Sequence, residues 1–321
     1  MTTASPPVVF SSISEVEREV GVAKETLRVW ERRYGFPLPL RDDNGERIYP
    51  SDQVQRLTHI KRLLDQGYRP GKVVALGVDQ LVVLGAKVTA RTPARGADDS
   101  QIAACIDLIK HHRLGLLRQQ LMQAALEIGL RRCVTELIGP LTTAVGDAWA
   151  AGHLAVFEEH LYAEMLHGVM RESISAVTHL RDEAGAHPRV LLTTVPQERH
   201  GIGLLMAEAL FSLEGAHCIS LGVQTPLLEI LAAASSQRAD IVALSFSGVS
   251  SSRSTVDNVT ELRSRLGAQA EVWAGGAGAL MVRRHLGPDV VLDLSDIGGA
   301  VSRWRARQAN RVSANAANII N

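Results

Sequence analysis

Cysteine and aromatic residues are scarce in this chain of 321 residues. Its three cysteines, Cys105, Cys133 and Cys218, lie far apart and form no paired motif, which excludes a disulfide framework and a zinc site and fits a reducing cytoplasm. No apolar run reaches the roughly 20 residues of a membrane span, and the N-terminus lacks a signal-peptide pattern. We therefore expect a cytoplasmic protein with no membrane contact.

The chain also lacks an excess of either charge. It has 34 basic and 34 acidic residues, so a general nucleic-acid coat is excluded and any DNA contact must come from a local patch. Hydrophobic residues make up 46% of the chain, which is enough to form real cores, and the length suits two or three domains.

The residue patterns divide the chain into three regions. Residues 1–82 are mainly helical with one turn-rich interruption, and residues 83–99 form a Gly- and Pro-containing linker. Residues 100–183 are helical, and in residues 188–308 short apolar runs alternate with helical segments, which predicts a parallel sheet with crossover helices. We expect strands near 190–195, 218–223, 241–246, 272–273 and 290–294. The polar tail, residues 309–321, is expected to fray.

The N-terminal region has the pattern of a DNA-binding module. Ser12 and Glu15 form a capping box before a short helix, and Gly21 separates it from a second helix. The second helix carries four basic residues: Lys24, Arg28, Arg32 and Arg33. Asn44-Gly45 then predicts a hairpin with Arg41 and Arg47 on its flanks, where they could contact the phosphate backbone. Taken alone, such charges are usually just solvated surface.

The order of these parts resembles the winged helix-turn-helix of the MerR family. The resemblance rests on residues 26–35 (TLRVWERRYG), followed by Arg41 and then by Arg47-Ile48-Tyr49. It implies binding to double-stranded promoter DNA, with contacts from the six basic residues above and from Tyr49. Trp30 is expected in the small core, and Glu31 is expected to orient a neighbouring arginine. Family members usually pair through a long helix after this module, which the linker at Gly85 interrupts.

A histidine-containing loop follows the first predicted strand of the α/β region. In residues 198–203 (ERHGIG), His200 is a suitable metal ligand, Glu198 could accept its second N–H, and Gly203 would allow close approach. A lone loop histidine is usually only a surface residue. The string resembles the signature of base-off, His-on cobalamin domains of flavodoxin-like (Rossmann-like) fold, which implies that His200 is the lower axial cobalt ligand. The family usually has Asp where this chain has Glu198.

Two further loops lie where this resemblance implies contact with the nucleotide tail of the cofactor. One contains Ser245 and Ser247, and the other contains Gly275 and Gly276. The second loop follows a late strand and lacks the order of the dinucleotide fingerprint, which disfavours a Rossmann NAD site.

The helical middle region contains Trp149, Val156, Glu159 and His160. A Trp followed ten residues later by Glu-His resembles the four-helix-bundle cap of CarH/LitR-type photoreceptors, which are cobalamin-binding MerR regulators. The resemblance implies adenosylcobalamin, with methylcobalamin as the other form considered, and places Trp149 on the adenosyl group. Taken alone, Trp149 would be a core residue. Light-sensing members commonly have a His after this Trp, whereas this chain has Ala150.

The whole pattern predicts a multidomain α and α/β protein that is not an enzyme. The favoured function is a light-sensing transcriptional regulator, a repressor, that binds promoter DNA as a homo-oligomer (dimer or tetramer) in the dark and is released by light. A cobalamin- or redox-sensing regulator without a light response is the first alternative, and Ala150 is its best support. A corrinoid methyl-transfer shuttle, which leaves the N-terminal module unexplained, and a DNA-binding protein without cofactor are the others.

Overall fold

The computed structural model describes residues 10–65, 68–81, 84, 99–178, 187–248 and 250–320. The chain divides into two compact units, which are described separately. The first comprises residues 1–92 and 146–155, and the second comprises residues 93–145 and 156–321. Most of the predicted linker, residues 83–99, lies outside the described residues.

The N-terminal unit contains a three-stranded sheet and a group of helices. Its elements are β1 (Phe10–Ser12), α1 (Ile13–Val20), α2 (Lys24–Tyr34), β2 (Leu40–Arg41), β3 (Arg47–Pro50), α3 (Ser51–Asp65) and α4 (Pro70–Val73). The strands are antiparallel in the order β1-β3-β2. Leu27, Trp30 and Tyr49 are buried together in the core of this unit, which confirms the core position of Trp30.

Local signals set the ends of the first two helices. Ser12 and Glu15 form the predicted capping box, in which the Ser12 N–H donates to the Glu15 carboxylate at 2.6 Å. Gly21 ends α1 with φ at +70°, a left-handed conformation that favours glycine, and so allows the tight turn into α2. The hairpin is also confirmed: Arg41 pairs with Arg47 across it, and Gly45 has φ at +76°.

The second unit begins with packed helices. They are α5 (Asp99–Lys110), α6 (Leu114–Ile128), α7 (Leu130–Arg132), a π-helical segment (Cys133–Ile138), α8 (Gly139–Ala150) and α9 (Val156–Thr178). The last residues of α8 belong to the N-terminal unit. Helix α9 packs on the first helix of the α/β region, where Arg171 forms two hydrogen bonds of 2.9 and 3.0 Å with the buried carboxylate of Glu208.

The α/β region is a parallel sheet flanked by helices. Its strands are β4 (Arg189–Thr193), β5 (His217–Gly222), β6 (Ile241–Ser245) and β7 (Glu271–Gly275). Its helices are α10 (Ile202–Leu213), α11 (Leu227–Ser236), α12 (Ser252–Leu266), α13 (Ala277–Met281), α14 (Arg283–Leu286) and α15 (Ile297–Ile320). The strand order β5-β4-β6-β7 is that of flavodoxin-like folds, which bind ligands where the order reverses, here between β4 and β6. The loops after these two strands therefore meet at one edge.

Two expectations differ from the structure. The fifth predicted strand, near 290–294, forms only an isolated bridge between Val291 and Ala274, so the sheet has four strands among the described residues. The tail expected to fray continues as α15 to Ile320. The four alanines of this tail favour a helix, since Ala has the highest helix propensity.

We predict that Gly276→Ala destabilises the α/β region by about 2–4 kcal/mol. Gly276 has φ at +87° and ψ at 168°, a region open essentially only to glycine, and an added Cβ would lie 2.3 Å from the carbonyl oxygen of Phe246. Gly115→Ala is the control, because its added Cβ meets nothing within 4 Å and helical Ala is favoured. Urea unfolding followed by circular dichroism measures both variants, and equal stability of the two would contradict this prediction.

Candidate functional site

His200 lies in the loop that connects β4 to α10, at the carboxyl edge of the sheet. Its side chain is 46% exposed, whereas the side chain of Glu198, two residues earlier, is 3% exposed. The loop therefore combines a solvent-accessible imidazole with a buried carboxylate that contacts it. This is the arrangement that the sequence predicted for a ligand and its supporting acid.

The Glu198 carboxylate accepts hydrogen bonds from two loops. Its Oε1 accepts from the Nδ1–H of His200 at 2.6 Å and from the His200 backbone N–H at 2.9 Å. Its Oε2 accepts from the backbone N–H and hydroxyl of Ser247, at 2.8 and 2.7 Å, and from the hydroxyl of Ser250. Because an ionised carboxylate only accepts, it holds the proton on Nδ1 and leaves Nε2 of the neutral ring as the atom that can bind a metal.

Burial and hydrogen bonding have opposite effects on Glu198. Burial raises the pKa of its carboxyl group, but the bonds from His200, Ser250 and Ser247 outweigh that effect and lower the pKa from 4.5 to about 2. The group is therefore ionised at neutral pH. Since the folded-state pKa is lowered, this group contributes stability above pH 4.5 that is lost as the pH falls towards 2.

The sequence resemblance implies an Asp at the position of Glu198, and the longer Glu side chain still reaches the imidazole. Thr194 holds the same loop in place, since its hydroxyl donates to the backbone oxygen of Glu198 at 2.5 Å and accepts from the N–H of Gln224 at 2.8 Å. The roles of Thr194, Gln224 and Ser250 were not predicted from the sequence. Ser250 carries no sequence signal, because only the adjacency of β4 and β6 brings it to Glu198.

A cleft opens between α10 and the carboxyl ends of β6 and β7, with a cavity volume of about 80 Å³, and it is open to solvent on one side. Small residues keep it wide: a Cβ added at Gly203 would lie 2.7 Å from the Oγ of Ser245. Gly275 and Gly276 also line it, as do the apolar side chains of Phe211 and Trp273.

The predicted cap residues fall in both units. Val156 and His160 are exposed one turn apart at the start of α9, where Glu159 is partly buried. With Phe157, Leu161 and Glu164, the two exposed residues line an open groove in the second unit. Trp149 lies in the last turn of α8, in the N-terminal unit, and is partly buried. Its place over a cofactor stays a prediction.

The predicted DNA-contacting residues lie mostly on the surface of the N-terminal unit. Arg28, Arg32 and Arg33 are exposed on α2, and Lys24 pairs with Glu17 at 3.6 Å. In the hairpin, Arg41 is exposed and donates from Nη1 to the backbone oxygen of Gly45 at 2.6 Å.

Arg47 connects the hairpin to α2. Its Nε and Nη2 donate to the Glu31 carboxylate at 3.0 and 3.4 Å, which confirms that Glu31 orients an arginine. This pairing raises the pKa of Arg47, which therefore stays charged. The prediction for Tyr49 needs correction: its side chain is fully buried, and within the described part of the chain its hydroxyl has no partner. Tyr49 belongs to the core and offers no group to DNA.

None of the helices in the described part of the chain is long and apolar enough to cross a membrane.

Family models match three segments: the MerR HTH family regulatory protein over residues 11–76, and two B12 binding domain models over residues 103–172 and 188–293. The order of these matches agrees with that of the predicted domains.

Whole-chain relatives have the same composition of domains. The chain is 31% identical to the HTH-type transcriptional repressor CarH of Myxococcus xanthus over 266 residues, 81% of this chain and 86% of the relative. It is 27% identical to the repressor CarA of the same organism, over 85% of this chain and 88% of the relative. The regulator MlrA of Escherichia coli matches over 65 residues only, at 38% identity, 20% of this chain and 27% of the relative. The chain therefore belongs to the CarH type of MerR-family transcriptional regulators, which carry B12-binding domains after the DNA-binding module.

Proposed function

We propose that this regulator is an adenosylcobalamin-dependent light sensor that represses transcription, binding promoter DNA as an oligomer in the dark and leaving it after illumination. The observation that carries the cofactor assignment is the exposed imidazole of His200, fixed by the buried carboxylate of Glu198. Repression is supported by similarity to CarH and CarA, both described as transcriptional repressors.

In this proposal, different residues of the α/β region bind different parts of the cofactor. His200 would supply Nε2 as a ligand to the cobalt, and Glu198 would accept the proton donated by Nδ1 and so orient the ring. The cleft beside Ser245, Gly275 and Gly276 takes the nucleotide tail. Adenosylcobalamin supplies a weak Co–C bond that visible light can break.

The helical region acts as the cap. Val156 and His160 form an open surface at the start of α9, and we assign the adenosyl group to this surface. The sequence resemblance separately predicts that Trp149 stacks on that group. Stacking of an aromatic side chain on a nucleobase contributes on the order of 1–3 kcal/mol, which is enough to distinguish adenosyl from smaller upper ligands. Such a difference is what a ligand needs to shift an assembly equilibrium.

Assembly would then control DNA binding. The N-terminal module presents Arg28, Arg32 and Arg33 on one helix, and an oligomer places several such helices on neighbouring sites. Linked modules bind with a higher effective concentration than single ones, so loss of the oligomer lowers the affinity without any change at the DNA surface.

A regulator that responds to cobalamin without light is the competing function, and Ala150 favours it because alanine cannot ligate cobalt. We expect the dark spectrum of the protein reconstituted with adenosylcobalamin to change under green light, together with release of operator DNA. Native mass spectrometry of the same samples reports the oligomer. An unchanged spectrum and unchanged DNA binding after illumination would leave only the competing function.

We predict that His200→Ala weakens cobalamin binding by at least about tenfold and removes the imidazole-ligand features from the visible spectrum. Glu198→Gln should weaken binding by about 10–100-fold while keeping a histidine-ligated spectrum, since the amide oxygen can still accept from the ring although the charge and one of the two accepting oxygens are lost. His285→Ala is the control, because His285 is an exposed histidine of the same region. Retention of cobalamin by His200→Ala with an unaltered spectrum would refute the ligand assignment.

We also predict that Arg28→Ala and Arg47→Ala reduce DNA affinity. In each variant, the steepness with which the logarithm of the binding constant falls against the logarithm of the salt concentration should decrease by about one. Arg47→Ala should in addition lower the unfolding temperature of the N-terminal module, because it leaves Glu31 without its hairpin partner. Fluorescence anisotropy at several salt concentrations measures the slopes, and Arg303→Ala, on the exposed side of α15, is the control. Slopes equal to that of the control would refute the assignment of these residues to the DNA surface.

A further inference from the structure

The second helix of the N-terminal unit has two distinct faces. Leu27 and Trp30 are buried, whereas Arg28, Arg32 and Arg33 are exposed. Residues three and four apart lie on the same face of a helix, so the arginines form one continuous basic surface. In a helix-turn-helix, the second helix enters the major groove of DNA, and α2 follows α1 through a tight turn at Gly21.

One aliphatic side chain lies within this basic surface. Val29 is 42% exposed and directly follows Arg28, one turn before Arg32 and Arg33. The core of the unit is supplied by the opposite face of α2, so packing does not account for Val29. Its β-branched side chain also lowers helix propensity slightly. An isolated exposed valine needs no explanation in general, but this one lies among three cations that are placed to contact DNA.

We propose that Val29 recognises the C5-methyl group of a thymine in the major groove of the operator. The proposal rests on the proposed binding of promoter DNA by α2. The thymine methyl is the apolar group that the major groove displays, and small aliphatic side chains contact it, whereas arginine and lysine bind guanine and phosphates. The surrounding arginines position the helix, and Val29 adds discrimination between bases.

The chemistry of the side chain fits this role. A β-branched residue in a helix has one strongly preferred χ1 rotamer, so its two methyl groups are already held in place and little entropy is lost on contact. The nearest acidic residue on this face, Glu25, pairs with Arg28 at 3.8 Å, so the charge next to Val29 remains basic overall. The matching partner is DNA, whose phosphates carry negative charge and whose major groove displays the methyl group of thymine.

The test uses the full chain loaded with adenosylcobalamin in the dark. A preferred duplex is first selected from random DNA, and each thymine is then replaced in turn by uracil, which removes only the methyl group. For the unsubstituted protein we expect one replacement to weaken binding by about three- to fivefold, the contribution of one buried methyl group. In Val29→Ala, which lacks the two methyl groups of valine, the same replacement should have a much smaller effect, on an affinity that is already reduced.

Val78→Ala provides the matched control. Val78 is 43% exposed in the same unit but lies outside α2, so this variant should keep the full uracil penalty. Equal uracil penalties in Val29→Ala and the unsubstituted protein would overturn the proposal, as would a uniform loss of affinity on every duplex. If no sequence is selected at all, specific DNA binding by α2 fails too, and that result is distinct from selection without coupling to Val29.

Discussion

The organisation of the cofactor end of this regulator depends on one buried carboxylate. An isolated charge inside a protein is costly, and Glu198 remains ionised only because donors from two loops surround it. Those loops follow β4 and β6, which are neighbours only because the strand order reverses between them. The carboxylate thus fixes the position of His200 relative to the cleft, and the topology of the sheet makes the carboxylate possible.

A similar division of roles occurs at the DNA-binding end. Glu31, on α2, holds Arg47 of the hairpin, so the two elements that we propose to face DNA are connected by an ion pair that is about three quarters buried. A guanidinium has five N–H groups, and Arg47 can therefore hold Glu31 and still donate to a phosphate. In both regions an acidic residue holds in place the side chain that we propose as the ligand-binding one.

Features set by neighbouring residues were predictable from the sequence. The capping box of Ser12, the hairpin at Gly45 and the four central strands each depend on residues close in the chain. Features set by tertiary contacts were not. Ser250 donates to Glu198, which lies 52 positions earlier in the chain. The sequence motif predicted that Tyr49 contacts DNA, but Tyr49 packs in the core of its unit. The prediction of a fifth strand was wrong, because the apolar residues near 290–294 form only an isolated bridge, between Val291 and Ala274.

The fixed yet accessible state of His200 has a kinetic consequence. Side-chain immobilisation on binding costs about 0.5–1.5 kcal/mol for each flexible group, and here the carboxylate has already restrained the ring before any partner arrives. Under the proposed assignment, a corrinoid that reaches this edge meets an imidazole whose orientation is already restrained. Differences in affinity would then come mainly from the dissociation rate of the ligand, and the helical region could change that rate.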